Sequence, residues 1–302
     1  MEINTEYLET ITNYRNVLKR PITVTVANSK GGVGKTTIIR YLSYVLAKLG
    51  FKVLVVDADP QANTTKTMLL TKNYYSDDDD IYILEKTMMA GIVEKDLSGL
   101  VVDIIDNLYC IPSHIDFKNF PKYLTRLYGD SIEGLDSNYL EVEQNRISVF
   151  KKLISPIKND YDFILIDTPP TMSDFTRNAT YASDYLIMAF QTQPDSLDGV
   201  KDYINEELTP LIENFGLETE VVGILPNHLS KGSIDTTVVD DAVEMFGEQN
   251  FFNKIIPFTK RVQTTPRTGL NTDTYWDEKA YNEVFEPLAI NFLERVMMFE
   301  GE

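Results

Sequence analysis

The chain has 302 residues, 43% hydrophobic and 25% charged, an ordinary balance for a protein long enough to bury a large core. Its formal net charge is -18, so attraction to a polyanion cannot come from average charge and requires a local basic cluster. One cysteine, Cys110, excludes a disulfide framework within the chain, and no apolar run approaches the ~18 residues that a membrane span requires. The first residues lack the basic start and apolar core of a signal peptide, so the cytoplasm is the expected compartment.

Tyr7, Leu8, Ile11, Tyr14 and Leu18 recur at helical spacing and predict a short helical extension over residues 1–20, ahead of a main domain over 21–302. So short a helix is marginal in water unless its face packs on something, either its own domain or another subunit. Strands are expected near 22–27, 53–57, 108–111, 163–167, 185–190, 221–226 and 254–257. Helices follow most of them, notably near 36–49, 138–157, 197–214 and 276–297. This alternation predicts an α/β fold with a doubly wound, mostly parallel sheet flanked by helices. Asp77 to Asp80 form a like-charged run that reads as a loop, and neither an internal repeat nor a glycine-serine linker divides the chain.

Three of the strands end in residues that carry chemistry. Ile22 to Val26 leads into Lys30-Gly31-Gly32-Val33-Gly34-Lys35-Thr36-Thr37, and a helical pattern follows. Strand, glycine loop and helix N-terminus in that order make an anion site, because the glycines let backbone N–H groups approach phosphate oxygens. Lys35 is placed to reach the β- and γ-phosphates, and the Thr36 hydroxyl to ligate Mg²⁺. The generic loop has glycine five residues before its Gly-Lys pair; here Ser29 holds that place and Lys30 follows. Phe51 to Val56 runs into Asp57-Ala58-Asp59-Pro60-Gln61, and Phe163 to Ile166 into Asp167-Thr168-Pro169-Pro170. Carboxylates there fall at the C-terminal edge of a parallel sheet, where ligands of open α/β sheets bind.

Together these segments resemble the ParA/MinD family of P-loop ATPases, whose deviant Walker A motif Lys30 to Thr36 matches. The resemblance covers roughly Ile22 to Ala289 and thins between Thr71 and Asp160. It implies ATP and Mg²⁺ as ligands, with Lys30 crossing a dimer interface to the other subunit's nucleotide. It implies Asp57 near Mg²⁺ and its waters, Asp59 orienting or activating the attacking water, and Asp167 holding Mg²⁺. Gln193-Pro194-Asp195 resembles the strand end whose acid positions the signature lysine; a plain helix cap is the other reading of Asp195. Asn227, after Val221 to Leu225, resembles an adenine-reading asparagine, and Ile255-Ile256-Pro257 the last strand, whose following loop closes over the base.

Residue tests separate the branches of that superfamily. A nitrogenase iron protein needs paired cysteines. A MinD-like protein is expected to end in a basic amphipathic helix, whereas this chain ends with more acid than base, so no stable membrane association is expected. A bacterial tyrosine kinase is expected to end in clustered tyrosines, absent after Tyr281. The resemblance therefore implies a ParA-type DNA-partitioning ATPase. Such a protein forms an ATP-dependent homodimer, binds non-specific DNA on the nucleoid, and is released when a ParB-like centromere-binding partner stimulates hydrolysis. A MinD-like cargo- or membrane-positioning switch is the alternative. The basic residues available for DNA are Lys254, Lys260, Arg261 and Arg267, with almost no acid from Lys254 to Leu270; Lys118, Lys122 and Arg126 form a second group at helical spacing.

Overall fold

The computed structural model describes residues 5–76, 84–229, 233–257 and 259–301; the acidic run Asp77 to Asp80 lies outside them. In chain order the first half comprises α1 (Thr5–Val17), β1 (Ile22–Ala27), α2 (Lys35–Lys48), β2 (Val53–Asp57), α3 (Asn63–Tyr75), α4 (Met88–Glu94), β3 (Val102–Ile105), β4 (Leu108–Ile111), α5 (Phe120–Tyr128), α6 (Tyr139–Ile147) and α7 (Val149–Ile154). The second half comprises β5 (Phe163–Asp167), α8 (Asp174–Ala182), β6 (Tyr185–Gln191), α9 (Pro194–Tyr203), α10 (Thr209–Phe215), β7 (Glu220–Leu229), α11 (Ser233–Phe246), β8 (Ile256–Pro257), α12 (Lys260–Thr268), α13 (Tyr275–Ala280) and α14 (Glu286–Glu300).

The strands make one sheet in the order β3-β4-β2-β5-β1-β6-β7-β8. All neighbours run parallel except the β3–β4 hairpin at one edge. A parallel sheet is covered on both faces, which is why β2, β5 and β6 are continuous apolar runs; β1 alternates with Thr23 and Thr25, which are buried as well. Val24, Val26, Val53, Val55 and Leu165 point into a core shared with α2 and α14. Their neighbours Leu54, Val56, Ile164 and Ile166 face α4, α5, α7 and α8. Cys110 is buried on the first of these faces.

The N-terminal helix α1 packs on its own domain. Tyr14 is buried with its ring 5.4 Å from both Phe51 and Phe163, and Ile11 joins the same core. Arg15 donates to the Gly50 carbonyl at 2.9 Å, and Arg20 pairs with Asp184 at 2.8 Å and with Glu300.

All seven expected strands are present. The helix expected over 138–157 is two, α6 and α7, parted at Ser148. Those expected over 197–214 and 276–297 each contain a π turn, Ile204–Leu208 between α9 and α10 and Tyr281–Phe285 between α13 and α14.

Candidate nucleotide site

The loop between β1 and α2 is fixed by its own polar groups. Asn28, buried at the end of β1, donates its amide to Ala189 O at 2.7 Å and Ser196 O at 3.1 Å. Its side-chain oxygen accepts the Lys30 N–H at 2.7 Å. One asparagine thus ties the loop to β6 and α9. Gly34 caps α2 with φ +94°, in the left-handed region that favours glycine. A Cβ there would lie 1.8 Å from the Asn227 amide nitrogen, which donates to Val33 O at 2.9 Å. Gly34 is therefore required twice, by backbone and by neighbour. Gly31 and Gly32 are exposed and Thr37 is half-buried in the first turn of the helix.

Lys35 turns inward. Its ammonium donates to Asn28 O at 3.1 Å and to Lys30 O at 3.2 Å. Burial pushes it down to about 8, against the opposing pull of the Asp167 and Asp59 carboxylates. A charged donor held by weak neutral acceptors inside a glycine loop is a receptor for phosphate oxygen.

Beside it, β2 and β5 end in register, so Asp57 and Asp167 are paired across the sheet. Asp57 accepts from the Thr65 N–H and hydroxyl, both at 2.7 Å, and from the Asp59 N–H at 3.1 Å. Asp167 accepts from Thr36 Oγ1 at 3.1 Å and Thr64 Oγ1 at 2.6 Å. Burial raises the pKa of both acids; the Asp167 charge adds to the rise at Asp57, and the Asp59 charge to that at Asp167. Asp59 is also buried, held by the Gln61 N–H at 2.8 Å. Two dry, closely set carboxylates beside a hydroxyl form a hard-oxygen donor set that suits Mg²⁺. Among the described residues no group of three or more His, Cys, Asp or Glu could cage a metal alone. Few protein ligands, with water and phosphate supplying the rest, is the usual magnesium arrangement.

Lys30 behaves oppositely to Lys35. Its side chain is half exposed, and its ammonium approaches Asp202 of α9 at 3.9 Å. Asp195 stands exposed in the first turn of that helix; the acid beside Lys30 is two turns further on. Gly199 lets α9 approach, since a Cβ there would lie 2.5 Å from Lys30 Cγ and 2.2 Å from Asn28 Oδ1. Asn227 is fully buried with its amide engaged by the loop. Pro257 ends the short edge strand β8 beside β7. Of the late basic residues, Lys254 is exposed before β8 and Arg267 in the last turn of α12. Lys260 and Arg261 open that helix, and their side chains lie outside the described residues. Lys118, Lys122 and Arg126 are all exposed along the turn leading into α5 and along α5 itself.

Several site residues escape the sequence motifs. Thr64 and Thr65 sit five and six residues after Asp59, a hydroxyl pair whose only signal is adjacency to the acidic motif. Arg40, buried in α2, donates to Thr64 Oγ1 at 3.2 Å. Burial lowers its pKa while the Asp167 and Asp57 charges favour its charged form. It is one helical turn past Thr36 on a buried face, where an arginine is unusual.

An AAA-domain family model matches residues 22–215. The chromosome-partitioning ATPase Soj of Treponema pallidum is 31% identical over 284 residues, covering 90% of this chain and 97% of Soj. An uncharacterised protein of Methanocaldococcus jannaschii is 32% identical, covering 91% and 99%. A McdA–ATP complex from Cyanothece shares the fold, with a TM-score of 0.73 at 20% identity over 92% of this chain and 97% of McdA. So does a Borrelia burgdorferi putative plasmid partition protein bound to AMPPNP, at 0.68 and 20%, over 91% and 99%. With the deviant loop, the two carboxylate-tipped strands and full-length similarity agreeing, the chain belongs to the ParA-type P-loop ATPases.

Proposed function

We propose that this chain is a DNA-partitioning ATPase in which bound ATP closes a homodimer, the dimer binds DNA without sequence preference, and a ParB-like centromere-binding partner triggers hydrolysis and release. The observation that carries it is the opposite fate of the two loop lysines. Lys35 is buried within its own cradle, whereas Lys30 has its backbone pinned by Asn28 and a half-exposed side chain outside the cradle, its ammonium 3.9 Å from Asp202 of α9. A lysine not used by its own site is available to another subunit's. The partition roles in the names of Soj and the Borrelia protein support the same reading.

Lys35 and the loop N–H groups bind the β- and γ-phosphates. Thr36, Asp57 and Asp167 are the residues that would hold Mg²⁺, which when bound neutralises charge on phosphate oxygens. Asp59, fixed by Gln61, orients the attacking water, and Lys30 of the other subunit offsets charge on the transferred group. Asn227 and Pro257 flank the base side of the site. Lys254, Lys260, Arg261 and Arg267 contact DNA phosphates.

Sedimentation with a non-hydrolysable ATP analogue tests the reading. Wild type is expected to dimerise and then retain plasmid DNA; Lys30→Ala is expected to bind nucleotide yet stay monomeric. Removing one phosphate-binding cation, as in Arg267→Ala, should lower the slope of log K against log salt by about 0.9. A Lys30→Ala protein that dimerises like wild type refutes the trans role. Retention on anionic vesicles in place of DNA selects the MinD-like alternative. Loss of DNA binding only on reversing Lys118, Lys122 and Arg126 relocates the patch.

A further inference from the structure

Helix α13 begins with an aromatic pair that the nucleotide chemistry does not use. Tyr275 and Trp276 are 67% and 63% exposed, with ring centroids 5.1 Å apart in an edge-to-face arrangement. A reciprocal capping box between Thr274 and Asp277 fixes the helix start beneath them. The rings are therefore held on a rigid first turn, not on a loose tip. Two adjoining large aromatics so exposed depart from the usual practice of burying such area, and Tyr and Trp are the residues most enriched where binding energy concentrates.

Charge decides the kind of partner. Between residues 273 and 283 there are four acids, Asp273, Asp277, Glu278 and Glu283, against the single Lys279. Asp273, Glu278 and Glu283 are exposed. A stacking platform for nucleic acid sits in a positive groove, and on its own helix this one is bordered by negative charge, with the basic helix α12 packed beside it. The indole already draws one cation: Lys279 Nζ lies 6.0 Å from the Trp276 centroid while pairing with Glu283 at 3.7 Å. An aromatic pair with an acidic rim complements arginine or lysine side chains.

We propose that Tyr275 and Trp276, with Asp273 and Glu278, form a docking site for a cationic segment of a protein partner. The site is also tied to the nucleotide cradle. The π turn that follows α13 places Phe285 against Tyr41 of α2, rings stacked at 3.9 Å, and Tyr281 against Tyr44. Helix α2 is the one that begins with Lys35 and Thr36.

Trp276 is the only tryptophan in the chain, so its emission reports this site alone. Hexa-arginine titrated into the full-length protein at low salt is expected to change Trp276 emission saturably, while hexa-glutamate and a short DNA duplex do not. Asp273→Lys with Glu278→Lys should weaken the response about tenfold. Asp240→Lys with Asp241→Lys, an equal charge change on α11, should leave it intact. Trp276→Ala, followed by anisotropy of labelled hexa-arginine, should weaken binding comparably while circular dichroism stays unchanged. No saturable change with hexa-arginine, or equal weakening by the α11 reversal, overturns the site. A response to the duplex instead assigns the rings to nucleic acid and overturns the partner class. None of these readouts requires dimerisation or turnover, so failure of the partition reading leaves the result interpretable.

Discussion

Lys35 in the free protein sits between two backbone carbonyls and is pushed down to about 8 by burial. A polyphosphate arriving above that pH must find or restore the charged form. From this group ATP affinity is therefore expected to weaken toward tenfold per unit above about pH 8, as one proton must be taken up. Calorimetry in two buffers of different ionisation enthalpy, at pH 9, would reveal that uptake; a flat profile would show that Lys35 stays fully charged before binding. The motif residues Lys30, Lys35, Asp57, Asp59 and Asp167 were legible in the sequence because each follows an apolar strand at fixed spacing. Arg40, Thr64 and Asn28 were not, because their roles depend on which side chains meet across α2, α3 and β6. The partner of Lys30 was unreadable for the same reason: Asp195 and Asp202 share a helix, and only packing through Gly199 brings Asp202 near the lysine.

Among the elements, α9 and its π turn carry the least ordinary electrostatics. Glu207 in that turn is 6% exposed, and its carboxylate lies 3.4 Å from Arg177 Nε. Arg177 also holds Glu143 at 2.8 Å, and Arg146 joins Glu143 to Asp174. Burial pushes Glu207 up to about 7 despite Arg177, with Asp174 and Glu143 adding repulsion. A folded pKa above the unfolded one makes a contribution that is complete below about pH 4.5 and lost as pH rises through about 7. Stability to urea should accordingly fall between pH 5 and 8 by at most roughly 3 kcal/mol from this group. Glu207→Gln should flatten that part of the profile; an unchanged slope would remove Glu207 as its source. The turn itself was not predicted: one extra residue offsets the apolar repeat by about 100°, which over so short a stretch does not stand out from an irregular apolar face. The break at Ser148 and the short edge strand Val102–Ile105 were equally faint, whereas the central strands stood out as runs buried on both faces.

At the scale of the molecule, the N-terminal helix belongs to the fold of the ATPase. Tyr14 packs between Phe51, just before β2, and Phe163 in β5, beneath the strands that carry Asp57 and Asp167. Tyr14→Ala should cost about 3–5 kcal/mol of stability, as for other large aromatic truncations in cores. Urea melts at fixed pH measure it, and a cost near zero would make α1 an accessory. Helical periodicity located this helix, but whether it packed on its own domain or on another subunit needed the structure.

Cys110 lies in β4 with its thiol buried in the sheet, and burial raises its pKa well above that of a free thiol. The reactive thiolate is thus suppressed twice, by access and by ionisation. Reaction with a thiol reagent then requires the sheet to open at β4, so its rate clocks that opening without any introduced probe. The same silence makes the native sequence a ready background for spectroscopy. A cysteine placed on the exposed face of α5 or α13 would take a spin label or dye alone, with Cys110 left in place. Distances between two such labelled chains would follow association directly.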